Sequence, residues 1–164
     1  MKVLGILFWV VLLGGIVLII AGQLGMLKGK PPGNLGVKDG RLKPPAKTPN
    51  SVSSQVDLYP DHPQKDFASI KPIEFSGDGE KAIEKLAKIL EKSERVVLVK
   101  REQDYLYAQC STFLLKYTDD IEFWLDKSAK VIHVRSSSRL GRKDFDVNRK
   151  RVESLRAEFN AQPS

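Results

Sequence analysis

The sequence predicts an α+β fold carried on an N-terminal membrane helix, and three observations predict it. Twenty uncharged residues open the chain, a Pro/Gly/Lys-rich stretch follows, and the last ninety or so residues read helix, four strands, helix. The expected organisation is a transmembrane anchor over 1–22, a linker and extended arm over 23–76, and an α+β domain over 77–164. That domain is expected to be a two-layer sandwich, a four-stranded antiparallel meander with two helices on one face. About 90 patterned residues suffice for one modest core.

The anchor is Val3–Gly22, VLGILFWVVLLGGIVLIIAG. At 1.5 Å per residue a helix of that length matches a hydrocarbon core of about 30 Å. It exceeds the roughly 7–15-residue core of a signal peptide, Ala21-Gly22-Gln23 is a poor cleavage site, and no cysteine follows to accept a lipid. A retained span in contact with membrane lipid is the expectation, and a removed signal is the alternative. The chain is thus expected in a membrane, as a single-pass protein of a bacterial inner membrane. Lys28, Lys30, Lys38, Arg41 and Lys43 after the span favour a cytoplasmic domain. A Met-Lys start running straight into the helix favours an exported one, so the side stays open.

Between Gln23 and Ser76, KGKPPGNLG, DGRLKPPAKTPN and YPDHPQ leave little room for regular elements. Ser69–Phe75 is expected as an edge strand, where Pro72 is tolerated. Asp78 is a candidate N-cap for a helix over Gly79–Lys92, with Ala82, Ile83, Leu86, Ala87 and Leu90 on one face. Strand-like runs follow at Arg95–Arg101, Asp104–Leu114, Thr118–Asp126 and Lys130–Ser137. A last helix is expected over Asp144–Asn160, placing Asn148, Val152, Leu155 and Phe159 together, with Pro163 beyond it.

Register follows from which residues must share the buried face. A loop over Lys127–Lys130 pairs Leu125 with Ile132 and Phe123 with Val134; the other face then pairs Glu122 with Arg135 and Trp124 with His133. One hairpin earlier, Cys110 is expected inside, beside Phe123. The second face is expected to carry Val96, Leu98, Tyr105, Tyr107, Trp124 and His133, apolar enough to need a cover. Either the Pro-rich arm supplies that cover, or a partner does.

The net charge of +7 is spread along the chain, and no basic stripe interleaved with aromatics appears, so no nucleic-acid partner is expected. Anionic lipid and a membrane protein are the expected partners. The single Cys110 precludes an intrachain disulfide. His62 and His133 lack partners at ligand spacing, so no metal is expected. No phosphate-binding glycine loop, dinucleotide fingerprint or nucleophile elbow is present, and no cofactor is expected.

The most distinctive string is Asp119-Asp120-x-Glu122-Phe123, then Arg135-Ser-Ser-Ser-Arg139-Leu-Gly141-Arg-Lys-Asp144, then Val147-Asn148-Arg149-Lys-Arg151, with Thr48-Pro49-Asn50-Ser51-Val52-Ser53-Ser54-Gln55 upstream. Together these resemble the family catalogued as domain of unknown function 1499, found in bacteria and plastids, over roughly Asp39 to Phe159. The resemblance implies a small α+β domain and implies no activity, cofactor or substrate. The family pattern has cysteine where this chain has Ser51, and glycine where it has Asp146.

Six positive and two negative side chains lie between Arg139 and Arg151, leading into a helix N-terminus. Arginine forks and free backbone N–H groups in such a place can hold a phosphate or carboxylate. Arg135, Ser137, Arg139, Arg149 and Arg151 are the candidates. The competing reading makes Asp119, Asp120 and Glu122 structural partners of Arg135, Arg139 and Arg151, with Asp144 capping the helix. Asp119 and Asp120 are strand neighbours facing opposite ways, so they form no acid/base couple. No catalytic residue is assigned. The leading expectation is a non-catalytic, membrane-anchored binding or interaction module; a small enzyme acting on an anionic or amphipathic substrate is the alternative.

Overall fold

The computed structural model describes residues 2–162, and within them an α+β chain is built on a six-stranded sheet. The order is α1 (Lys2–Gln23), β1 (Ser51–Ser53), α2 (Lys65–Ala68), β2 (Ile73–Glu74), α3 (Gly79–Lys92), β3 (Val96–Arg101), β4 (Tyr105–Ser111), β5 (Thr118–Asp126), β6 (Val131–Ser138) and α4 (Val147–Ala161). Pro163 lies outside the described residues. Strands run β1-β6-β5-β4-β3, with β2 also on β6, and the strand pairs are antiparallel.

Beyond the four strands of the expected meander the arm contributes two: β2, which is the expected Ser69–Phe75 edge strand shortened to two residues, and β1, which was not expected. Ser51–Ser53 pairs with Ser137–Arg135, and Ile73–Glu74 with Ile132–Val131. A strand as short as three residues leaves no period to read, which hides β1 in the sequence. Pro72 stands just ahead of β2, at the position where proline costs a strand least.

The β5–β6 register is Leu125 on Ile132, Phe123 on Val134, Glu122 on Arg135 and Trp124 on His133. The turn between them is closed by Asp126, whose carboxylate accepts the N–H of Ser128 and of Ala129, both at 2.9 Å. In β4–β5 Cys110 is buried but stands opposite Asp119; Phe123 faces Leu106. The expected neighbour was wrong because the β4–β5 loop, Thr112–Tyr117, is longer than a tight turn, which moves the register by four.

One sheet face packs on α3 and α4. Ile83, Leu86, Leu90, Val152, Leu155 and Phe159 share a buried cluster with Leu106, Ala108, Ile121, Phe123, Leu125, Ile132 and Val134. Asp78 caps α3, accepting the N–H of Glu80 at 2.8 Å and of Lys81 at 3.4 Å. Val96 and Leu98 oppose Cys110 and Ala108, so they belong to this helix-covered face; Val97 and Val99 lie on the other and are exposed. The error is one residue at the start of β3, which inverts the strand as far as the irregularity between Leu98 and Lys100, where Lys100 comes to stand opposite Tyr107.

The second face is covered by the arm. Leu42, only 1% exposed, packs on Tyr105 and Tyr107, with Leu35 and Trp124 alongside. The Gln55 side chain holds this segment by both ends, accepting from the Leu42 N–H at 2.8 Å and donating to the Gly40 carbonyl at 3.0 Å.

α1 is apolar all round and none of its hydrophobic window is buried. Its last turn meets the domain: the Gln23 amide donates to the Leu114 carbonyl at 2.9 Å, and Gly22 is buried against the Leu115 backbone.

Candidate functional site

The acidic and basic residues of the Asp119–Arg151 string come together at the β5–β6 pair, on both faces of the sheet. Alternation decides the division: Asp120 and Glu122 point toward the arm, and Asp119 points toward the helices.

Glu122 is completely buried. Its Oε1 accepts the Tyr105 hydroxyl and the Gly36 N–H, both at 2.8 Å, and Oε2 accepts from Arg135 at 3.3 Å. Arg135 also donates to the Pro44 carbonyl at 3.2 Å, which ties the arm to the sheet a second time. Burial pulls the Arg135 guanidinium below its ordinary range while Glu122 pulls it back. Burial, reinforced by the Glu122 charge, raises the Tyr105 phenol well above its usual value, so it stays protonated and donates.

Beside this lies the Asp120–Arg139 pair. Arg139 grips Asp120 with two parallel bonds, Nε to Oδ2 at 2.8 Å and Nη2 to Oδ1 at 2.7 Å. The Tyr107 hydroxyl donates to Asp120 at 2.6 Å and accepts from the Gln109 amide at 2.9 Å. The hydrogen bond to Asp120 holds Arg139 above its ordinary range, and burial with Asp120 raises Tyr107.

On the helix side Arg151 donates to Asp119 at 2.7 Å and to Asn148 Oδ1 at 2.8 Å. Ser136 donates to the same Asn148 oxygen, and the Asn148 amide donates to Ser138 Oγ, the Asn50 carbonyl and Asp144 Oδ2. Asp144 accepts the N–H of Asn148 at 3.0 Å and of Asp146 at 3.2 Å, so it caps α4 from three residues ahead of the helix. Asp146, at the cap position itself, has φ 63° and makes no side-chain cap bond. That left-handed backbone is the physical reason glycine suits this position.

Two candidates fall elsewhere. Arg149 donates to the Ser69 and Phe67 carbonyls, fastening the end of α2 to α4. Ser137 is buried on the arm side of β6, opposite Asp120 and Ser51. Ser51 in turn accepts the Ala46 N–H at 2.6 Å, so its side chain serves the arm.

Tyr105, Tyr107, Gln109, Asn50 and Asn148 complete these networks and were not anticipated. A readable trace existed: Tyr-x-Tyr-x-Gln on one strand, in step with Asp-x-Glu on the next, places phenols beside carboxylates on a shared face. Among the described residues no three His, Cys, Asp or Glu side chains are grouped to hold a metal ion.

One open concavity borders the Glu122–Arg135 network, lined in part by Gly36, Leu42 and Pro44 of the arm. A groove of about 550 Å³ runs between α3 and α4, with Phe75, Ala82 and Phe159 as its apolar floor and Lys81, Lys85 and Lys88 among its walls. It contains none of the residues of the Asp119–Arg151 string.

No curated protein matches the chain. A protein family does match, over residues 41–159, which takes in the arm from Arg41 onward, the sheet, α3 and α4 as far as Phe159. The paired Asp/Glu–Arg networks and the Asn148 cluster all fall inside that span, and the chain belongs to the family described as protein of unknown function (DUF1499).

Proposed function

We propose that the chain is a single-pass membrane protein whose folded part is a non-catalytic interaction module held at the bilayer surface. The observation that carries this reading is the mutual satisfaction of the charged string. Arg135, Arg139 and Arg151 each already bond a carboxylate, at 3.3, 2.7 and 2.7 Å. An incoming anion would have to displace Glu122, Asp120 or Asp119, and no carboxylate among these stands free to act as a base. Such a set serves the fold: buried, paired, hydrogen-bonded charge specifies one arrangement of arm, sheet and helix.

The anchor has its own support. α1 spans 22 residues with a mean hydropathy of 3.0 in its best window, and its flanks lie open rather than packed on the domain. Contact of Gly22 and Gln23 with Leu114 and Leu115 supports a helix that stays attached to the domain. Membrane lipid is then one partner and a membrane protein the other. The α3–α4 groove, with an apolar floor walled by Lys81, Lys85 and Lys88 and by Glu74, Asp78 and Glu84, suits an amphipathic segment of mixed charge from such a protein.

The test is purification of the tagged full-length chain from carbonate-washed, detergent-solubilised membranes. The expected result is an intact N-terminus and a stoichiometric protein partner that Lys81→Glu with Lys88→Glu releases, without any change in the unfolding midpoint. A chain trimmed near Gln23 in the aqueous fraction, or an intact chain that carries no stoichiometric partner, overturns the reading.

A further inference from the structure

The β4–β5 loop, Thr112–Tyr117, reads TFLLKY, and its apolar side chains turn outward: Phe113 is 72% exposed and Leu114 50%. An outward Phe-Leu pair at a loop tip is costly in water unless something receives it. What receives it follows from where α1 ends. The twenty uncharged residues Val3–Gly22 fill a hydrocarbon core of about 30 Å from side to side, so Gly22 stands at its boundary. Gly22 touches the Leu115 backbone and Gln23 bonds the Leu114 carbonyl. The loop is therefore level with the edge of the hydrocarbon, in the headgroup layer.

Three more exposed apolar residues gather at this end. Leu24 and Met26 follow the span, and Leu140 stands beside Gly29, just past the end of β6. The charge is also suited. Lys116 belongs to the loop, the Arg95 guanidinium lies 6.0 Å from the Phe113 ring centre, Lys28 follows the span, and Arg142 and Lys143 follow Leu140. The far end of the sheet differs. At the Glu102–Asp104 and Lys127–Lys130 turns, Glu80, Glu102, Asp104 and Asp126 stand among lysines, and no large apolar side chain is exposed in either turn.

We propose that Thr112–Tyr117, with Leu24, Met26 and Leu140, forms a membrane-docking face that sits in the headgroup layer of an anionic bilayer and fixes the domain against it. Phe113 and Tyr117 take the interfacial positions aromatics favour, and the basic side chains around them face lipid phosphate. The bilayer thus holds the domain twice, by the span and by this loop, and the sheet stands with its β5–β6 turn away from the membrane. This rests on the span being retained in the bilayer, so the experiment reads span and loop separately.

The full-length chain is placed in nanodiscs of phosphatidylcholine and phosphatidylglycerol, 3:1 by design, with a nitroxide on Val11→Cys, Phe113→Cys or Ser128→Cys in turn. Native Cys110 is buried and leaves the introduced thiol as the labelled one. Collisions with oxygen and with an aqueous nickel chelate are compared. The expected pattern is hydrocarbon at Val11, water at Ser128, and at Phe113 a nickel accessibility several-fold below that at Ser128. Adding Lys116→Glu with Arg142→Glu is expected to raise nickel accessibility at Phe113 several-fold and leave Val11 unchanged. Phe113 as wet as Ser128 while Val11 reads hydrocarbon overturns the docking face alone. All three sites reading water overturns the anchor and the docking face together.

Discussion

Arg139 and Asp120 are held in a two-pronged bond, with Tyr107 closing the third side. Removing one partner of such a pair strands the other charge, which costs about 3–5 kcal/mol. Arg139→Gln is expected to lower the urea unfolding free energy by about that amount. Cys110 sits 4% exposed under the helices, and burial pushes its thiol up to about 11, against the pull of Arg151. A thiol both covered and protonated is a poor nucleophile. It is expected to resist a maleimide for as long as the chain stays folded and to react fully in denaturant, by mass spectrometry. His133 is a titrating residue in the opposite sense: burial holds its imidazole below the ordinary 6.5, and Asp126 at 3.9 Å opposes that. As the pH falls, the unfolded chain takes up its proton before the folded one does. Stability from this group is complete above about pH 6.5 and is lost as the pH drops below it. The urea midpoint is expected to fall between about pH 7 and about pH 5.5, and His133→Gln to reduce that fall.

At the scale of elements, the arm is the part whose contribution is easiest to underestimate. Leu42 is the apolar centre of its contact with Tyr105 and Tyr107, and Leu42→Ala is expected to cost about 2–3 kcal/mol. Because the same segment brings Gly36 N–H to Glu122, the variant is also expected to speed exchange of that amide, as read by hydrogen–deuterium exchange. The sequence made some elements plain and hid others for physical reasons. α3 shows its 3.6-residue period and its Asp78 cap, and the β5–β6 register follows from Phe123, Leu125, Ile132 and Val134 alone. β1 is too short for any period, and β3, with four apolar residues among its six, offers no alternation to say whether Val96 or Val97 points inward. Of the site, the acid–arginine partnership was legible because Glu122 and Arg135 share a face and a register. The phenols of Tyr105 and Tyr107 were read as apolar surface because a tyrosine displays only its ring in a hydrophobic pattern. Arg149 looks like its neighbours in sequence, yet helical geometry turns it toward α2 rather than toward Arg139 and Arg151.

For the whole molecule, the contact at Gly22 decides how anchor and domain move relative to one another. A Cβ placed there would stand 2.5 Å from the Leu115 carbonyl oxygen, a backbone atom that cannot step aside. Gly22→Val is expected to part the helix end from the loop. Trypsin should then cut several-fold faster after Lys28, while the urea unfolding free energy of the domain stays within about 0.5 kcal/mol of the parent. The pairing of β1 with β6 has a further consequence, for synthesis. Ser51 meets Ser137, and Ile73 meets Ile132, so the first two strands find their only seat in a segment made much later. Contacts that distant are slow to close. A ribosome that has delivered the first 130 residues has released an anchor, an arm with its two short strands, and three further strands that have nowhere to put them. Only when Ser138 emerges can the early segment latch, and until then the growing polypeptide is an open clasp.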